Sequence, residues 1–76
     1  MATLLTMDNK AIARRLIKLR GEKSRETVAN AVGISTSALS MYENGERIPR
    51  DHIKIKLANY YKRSVEFIFF NNNEHE

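Results

Sequence analysis

Apolar residues recur at helical spacing along most of this chain. Ile12, Leu16 and Leu19, with Ala13 and Ile17 beside them, predict a first helix over about 9–20. Asp8 or Asn9 can cap its start by accepting from free backbone N–H groups, and Gly21 marks its end. Val28, Ala29 and Val32 form the stripe of a second helix over 25–32. Ser24 is a suitable N-cap for it, Glu26 suits the positive end of its dipole, and Gly33 suits a left-handed stop. Ser35 caps a third helix over 36–43 whose apolar face is Ala38, Leu39 and Tyr42, while Thr36, Ser37, Ser40 and Met41 point elsewhere. Asn44-Gly45 reads as a turn. The loop 46–50 follows, where Pro49 disfavours a helical Ile48.

The next segment has two readings. Positions 53–57 alternate like a strand, but Ile53, Leu57 and Tyr61 also keep i,i+4 spacing, and no breaker follows Leu57. With no second strand-like segment to pair with, the expected element is a fourth helix from Asp51 or His52 to Lys62. Ser64 can cap a last short helix over about 65–70. The expectation is an all-α fold of five helices in one domain, 1–70, followed by a polar tail, 71–76, expected to be disordered.

Charge sharpens this picture. The 76 residues carry 13 Lys and Arg against 9 Asp and Glu, a net +4. All 13 cations fall within 1–63 beside six of the acids, so that stretch carries +7 and the remainder −3. A basic body suits a polyanionic partner, although a merely solvated surface has the same composition. There is no cysteine, and His52 and His75 are far apart, so neither a disulfide nor a metal site is expected. No apolar run approaches the ~20 residues of a membrane span, and the first residues do not form a secretory leader. An intracellular, cytoplasmic location is expected.

Residues 25–44 carry the most information. Two short helices flank a turn containing Gly33. Ala29 is small where the helices must approach, and Ile34, Leu39 and Tyr42 anchor the second helix of the pair to the core. The opposite face of that helix holds short polar side chains. A DNA-reading helix-turn-helix has this arrangement, and a plain helical hairpin shares part of it.

The run Glu26-Thr-Val-Ala-Asn-Ala-Val-Gly-Ile-Ser-Thr-Ser-Ala-Leu-Ser-Met-Tyr-Glu-Asn-Gly45 resembles the Cro/lambdoid-repressor helix-turn-helix family, also called XRE. Tyr42-Glu43-Asn44-Gly45-Glu46-Arg47-Ile48-Pro49 is close to a family signature. Leu19-Arg20, Leu57-Ala58 and Ser64-Val65-Glu66 fit the other helices, so the resemblance spans about residues 12–70.

The resemblance implies a five-helix lambda-repressor-like domain that regulates transcription by binding double-stranded DNA. It implies that the third helix enters the major groove, with Thr36, Ser37 and Met41 over the bases and Ser40 near bases or backbone. Hydroxyls read bases weakly, and no Arg, Gln or Asn on this face offers a bidentate pair, so the remaining specificity is expected from DNA shape or from Arg25. Ser24, Arg25, Asn44, Arg47 and Arg50 are the expected phosphate contacts. Glu43 is expected to brace the reading helix by pairing with Arg20 or Lys18. The chain departs from the family in three places. Arg25 replaces the usual Gln, the link between the first two helices is short, and Lys54 and Arg63 stand where apolar residues are usual.

Five of the six aromatics lie within 60–70. A short helix cannot turn all of Phe67, Ile68, Phe69 and Phe70 inward. One reading makes Phe67, Phe69 and Phe70 a homodimer interface. In the other, Val65, Ile68 and Phe69 fill the core while Phe67 and Phe70 simply project. The expected function is a repressor, bacterial or phage-encoded and associated with the nucleoid, that binds a near-palindromic operator as a dimer. The alternative is a protein-interaction module such as an antirepressor or antitoxin, and an unknown regulatory protein partner fits either reading. No nucleophile–base pair, glycine-rich phosphate loop or carboxylate pair points to an enzyme, and no cofactor is expected.

Overall fold

A computed structural model describes residues 8–70; the expected polar tail at 71–76 lies outside them. Helix α1 (Asn9–Arg20) starts where the Asp8 side chain accepts from the backbone N–H groups of Lys10 and Ala11, and it ends at Gly21. Helix α2 (Arg25–Val32) is capped by Ser24, whose hydroxyl oxygen accepts from Thr27 N at 3.0 Å. It stops at Gly33, which sits at φ 86° and ψ 34°. Helix α3 (Thr36–Glu43) starts the same way, with Ser35 Oγ accepting from Ala38 N at 3.0 Å. These three helices keep the bounds expected from the sequence, because cap chemistry and left-handed glycines are local.

Helix α4 (Asp51–Tyr61) ends at Lys62, a non-glycine residue in the left-handed region at φ 59°. The helical reading of 53–57 is correct. Successive residues turn by about 100°, so Ile53, Lys54, Leu57 and Ala58 share the buried arc while Ile55 projects to water. The chain then forms a short π-helical segment, Glu66–Phe70. No strand occurs among the described residues.

The core gathers Ile12 and Leu16 of α1, Val28, Ala29 and Val32 of α2, and Leu39 and Tyr42 of α3. Ile53, Leu57 and Ala58 of α4 and Ile68 and Phe69 of the π segment complete it. Helix α3 packs on both α1 and α2, α2 packs on α4, and the π segment closes against α1. There Arg15 Nη1 donates to the Ile68 carbonyl at 2.6 Å. One expectation needs correction. Phe69, expected at a dimer interface, is 2 % exposed and fills the core instead, whereas Phe67 and Phe70 remain 38 % and 48 % exposed. A single segment docked on α1 has one inward side, and Ile68 and Phe69 occupy it.

Lys54, noted as unusual in the sequence, is 6 % exposed. Its Nζ lies 3.3 Å from Asp51 Oδ1 and 5.0 Å from the centre of the Phe70 ring. Its stem therefore covers apolar surface while the ammonium finds partners at the rim.

Tyr61 carries a buried hydroxyl with no hydrogen-bond partner among the described residues. Burial, followed by the nearby Glu43 charge, pushes its pKa up to about 12 from 10.0. The folded state therefore holds this proton more tightly than the unfolded chain does. The resulting stability is complete below pH 10 and is lost as pH rises through about 12, a difference of about 1–2 kcal/mol after allowance for partial exposure. Tyr61→Phe is expected to match or slightly exceed the parent at neutral pH, because it deletes an unsatisfied hydroxyl. It should also lose less stability between pH 9 and 12. Parallel denaturant titrations at the two pH values test both points.

Candidate nucleic-acid interface

The outward face of α3 begins with Thr36 and Ser37, both exposed. Ser40 and Met41 follow one turn later on the same sides and are half-buried. The protein's own helices thus leave the two hydroxyls of the first turn open, while Leu39 and Tyr42 face inward. The Ser35 cap and the Gly33 turn hold this first turn in place.

The far end of α3 is held electrostatically. The Glu43 side chain is 0 % exposed, and both of its oxygens are used. Arg20 Nε donates to Oε2 at 2.9 Å and Arg25 Nε donates to Oε1 at 2.8 Å. Of the two candidate partners for Glu43, Arg20 and Lys18, the structure selects Arg20. Its Nη1 also donates to the Lys23 carbonyl at 2.7 Å, tying the α1–α2 link to the same centre. The hydrogen bond to Glu43 raises the proton affinity of Arg20 against the opposing effect of burial.

The second arginine is the part that residue-by-residue reading missed. Arg25 is expected at a phosphate and, beside DNA shape, as a source of specificity, yet its Nε is fixed on Glu43 and its side chain is 38 % exposed. Its place at the start of α2 was legible, but its distance to the end of α3 depends on how the two helices cross. One carboxylate therefore joins the end of α1, the start of α2 and the end of α3.

The other expected phosphate contacts vary in freedom. The Ser24 hydroxyl caps α2 and donates to Thr27 Oγ1 at 2.9 Å, so both its roles are already met within the protein. Asn44, Arg47 and Arg50 are exposed on the segment after α3. That segment leaves α3 through Gly45, at φ 78°, whose carbonyl accepts from Asn9 Nδ2 at 3.4 Å. Exposed hydroxyls on one helix face, with exposed arginines after that helix, form a surface that a duplex groove and its phosphates can approach.

The helix-turn-helix family model matches residues 11–68. The chain belongs to the XRE-type helix-turn-helix family. The match runs from the third residue of α1 through α2, α3 and α4 into the π segment, so the helical architecture is that of a lambda-repressor-like domain. As an XRE-type protein it is a DNA-binding regulator of transcription. No curated protein and no solved structure matches the chain. No helix among the described residues is long and apolar enough to cross a membrane.

Proposed function

We propose that this XRE-type regulator acts as a repressor, binding a near-palindromic operator as a dimer with α3 of each copy in the major groove. The open first turn of α3, exposed at Thr36 and Ser37 and held at its far end by the Arg20–Glu43–Arg25 brace, carries this reading. Thr36, Ser37, Ser40 and Met41 face the bases. Arg47, Arg50 and Asn44 meet phosphates, joined by the open part of Arg25 and by the Ser24 end of α2. Short hydroxyls give modest direct readout, so sequence-dependent groove shape supplies part of the specificity. Occupying the promoter suffices for repression and needs no further domain.

Arg47→Ala is the cleaner test of the phosphate rim, because Arg25 also braces Glu43 and its loss would disturb α3 directly. The variant should weaken operator and non-operator binding alike, by about tenfold. It should also lower the slope of log K against log salt by about 1 per contact, or about 2 per dimer. Thr36→Ala with Ser37→Ala should instead lower operator binding while leaving non-operator binding near the parent value. Gel shifts on upstream DNA at several salt concentrations separate these results. If both variants bound like the parent, the α3 face would not be the reading surface.

The dimer surface is proposed at Phe67 and Phe70, the two exposed rings of the π segment. Arg63 lies over the Phe67 ring at 5.0 Å, as Lys54 does over Phe70. Each ring has a cation over one face and keeps a third or more of its surface exposed, and two such neighbouring rings suit a two-fold contact that sets two half-sites about 34 Å apart. Phe70→Ala should lower dimer affinity and operator binding together with little change in monomer stability. Sedimentation identical to the parent at all concentrations would exclude this surface.

A further inference from the structure

A cleft of about 390 Å3 lies between α1 and the start of the π segment, lined by Arg15, Lys18, Leu19, Arg63 and Phe67. The proposed DNA surface does not use it. Arg20 leaves α1 toward Glu43 of α3, whereas Arg15 leaves α1 toward the Ile68 carbonyl. Five residues at about 100° each separate these directions by about 140° around the helix. The cleft therefore occupies the flank of α1 turned away from the reading helix.

We propose that this cleft binds a small monocarboxylate with an apolar body, making it an effector site within the DNA-binding domain itself. Three cationic side chains from two parts of the chain border a floor made by Leu19 and the Phe67 ring. Two of them are already oriented: Arg15 by its 2.6 Å bond to the Ile68 carbonyl, and Arg63 by its position over the Phe67 ring. Cations held in place lose less freedom when they capture a ligand. Planar guanidinium groups match a carboxylate, and the floor accepts an aromatic or aliphatic body that excludes water around the ion pair. The volume falls in the range of small-molecule sites. Lys18 lies in the last turn of α1, where the carbonyl end of the helix disfavours a dianion. A single carboxylate is therefore preferred over phosphate, and its apolar body is required to use the floor.

The test is a titration of the full chain with 4-phenylbutyrate, followed through backbone amide shifts. Saturable shifts are expected at Lys18, Leu19, Arg63 and Phe67, with a Kd on the order of 1 mM or tighter. 4-Phenylbutyramide, which lacks the charge, and inorganic phosphate, which lacks the apolar body, should each bind at least about tenfold more weakly. Arg63→Gln and Lys18→Gln should each weaken 4-phenylbutyrate about three- to tenfold, with melting temperatures near the parent value. A second copy seated on Phe67 would compete for the cleft, a point that rests on the dimer reading. The titration is therefore repeated with Phe70→Ala, which leaves every lining residue in place. Equal binding of phosphate, shifts centred on residues 36–47, or no saturation in either protein would overturn the proposal.

Discussion

Arg20→Ala is expected to destabilise the domain by about 2–4 kcal/mol, more than replacing the carboxylate that Arg20 holds. The reason lies in which partner is buried. The Glu43 side chain is wholly enclosed, whereas those of Arg20 and Arg25 keep 18 % and 38 % of their exposure. Removing Arg20 leaves Glu43 Oε2 inside the protein without its guanidinium donor, and it also frees the Lys23 carbonyl. Glu43→Leu removes the enclosed charge itself. The two arginines then turn to water, and an apolar side chain of similar size takes the space, at a cost of about 0–2 kcal/mol. DNA affinity should rank differently. Glu43→Leu is expected to fold yet bind operator poorly, because the end of α3 loses its tie to α1 and α2. Urea unfolding of both variants beside a gel shift tests this. A larger stability loss for Glu43→Leu than for Arg20→Ala would show that the pair stabilises the fold through attraction rather than through the cost of an orphaned charge.

Phe69→Ala is expected to cost about 3–5 kcal/mol, the range for deleting a buried aromatic ring. A domain of this size has about 3–5 kcal/mol in total, so the variant should be largely unfolded at 25 °C. Its neighbours in sequence provide the contrast. Phe67 and Phe70 are substantially exposed, and their alanine variants should melt within a few degrees of the parent as monomers. Circular dichroism melts of the three variants check this. If Phe69→Ala melted like the other two, the π segment would be dispensable to the core, and Phe69 would be free for another role.

These two cases show how far the residue pattern reaches. The helices α1, α2 and α3 were legible because their signals are local. A serine accepts from an N–H three residues on, a glycine tolerates positive φ, and apolar positions recur every three or four residues. The outward face of α3 was legible for the same reason, since its exposed hydroxyls are what remains once Leu39 and Tyr42 turn inward. The helical reading of 53–57 also needed only the continuation of one spacing, which left Ile55 outside.

The roles of the four apolar residues 67–70 were not legible, because pattern says that some must be outside without saying which. Docking against α1 chose Ile68 and Phe69. Nor does local pattern separate a solvated arginine from a bracing one: Arg25 looked like a surface cation, and only the crossing of α2 with α3 brings its Nε to Glu43.

The order of amino acids by itself determined where helices start and stop and which side of each is apolar, since those choices depend on neighbours within about four residues. Only the tertiary arrangement decided which charges meet, which aromatic ring is enclosed, and that a cationic cleft opens between α1 and the π segment. Those outcomes depend on distances between residues far apart in sequence, and such distances exist only once the helices have packed.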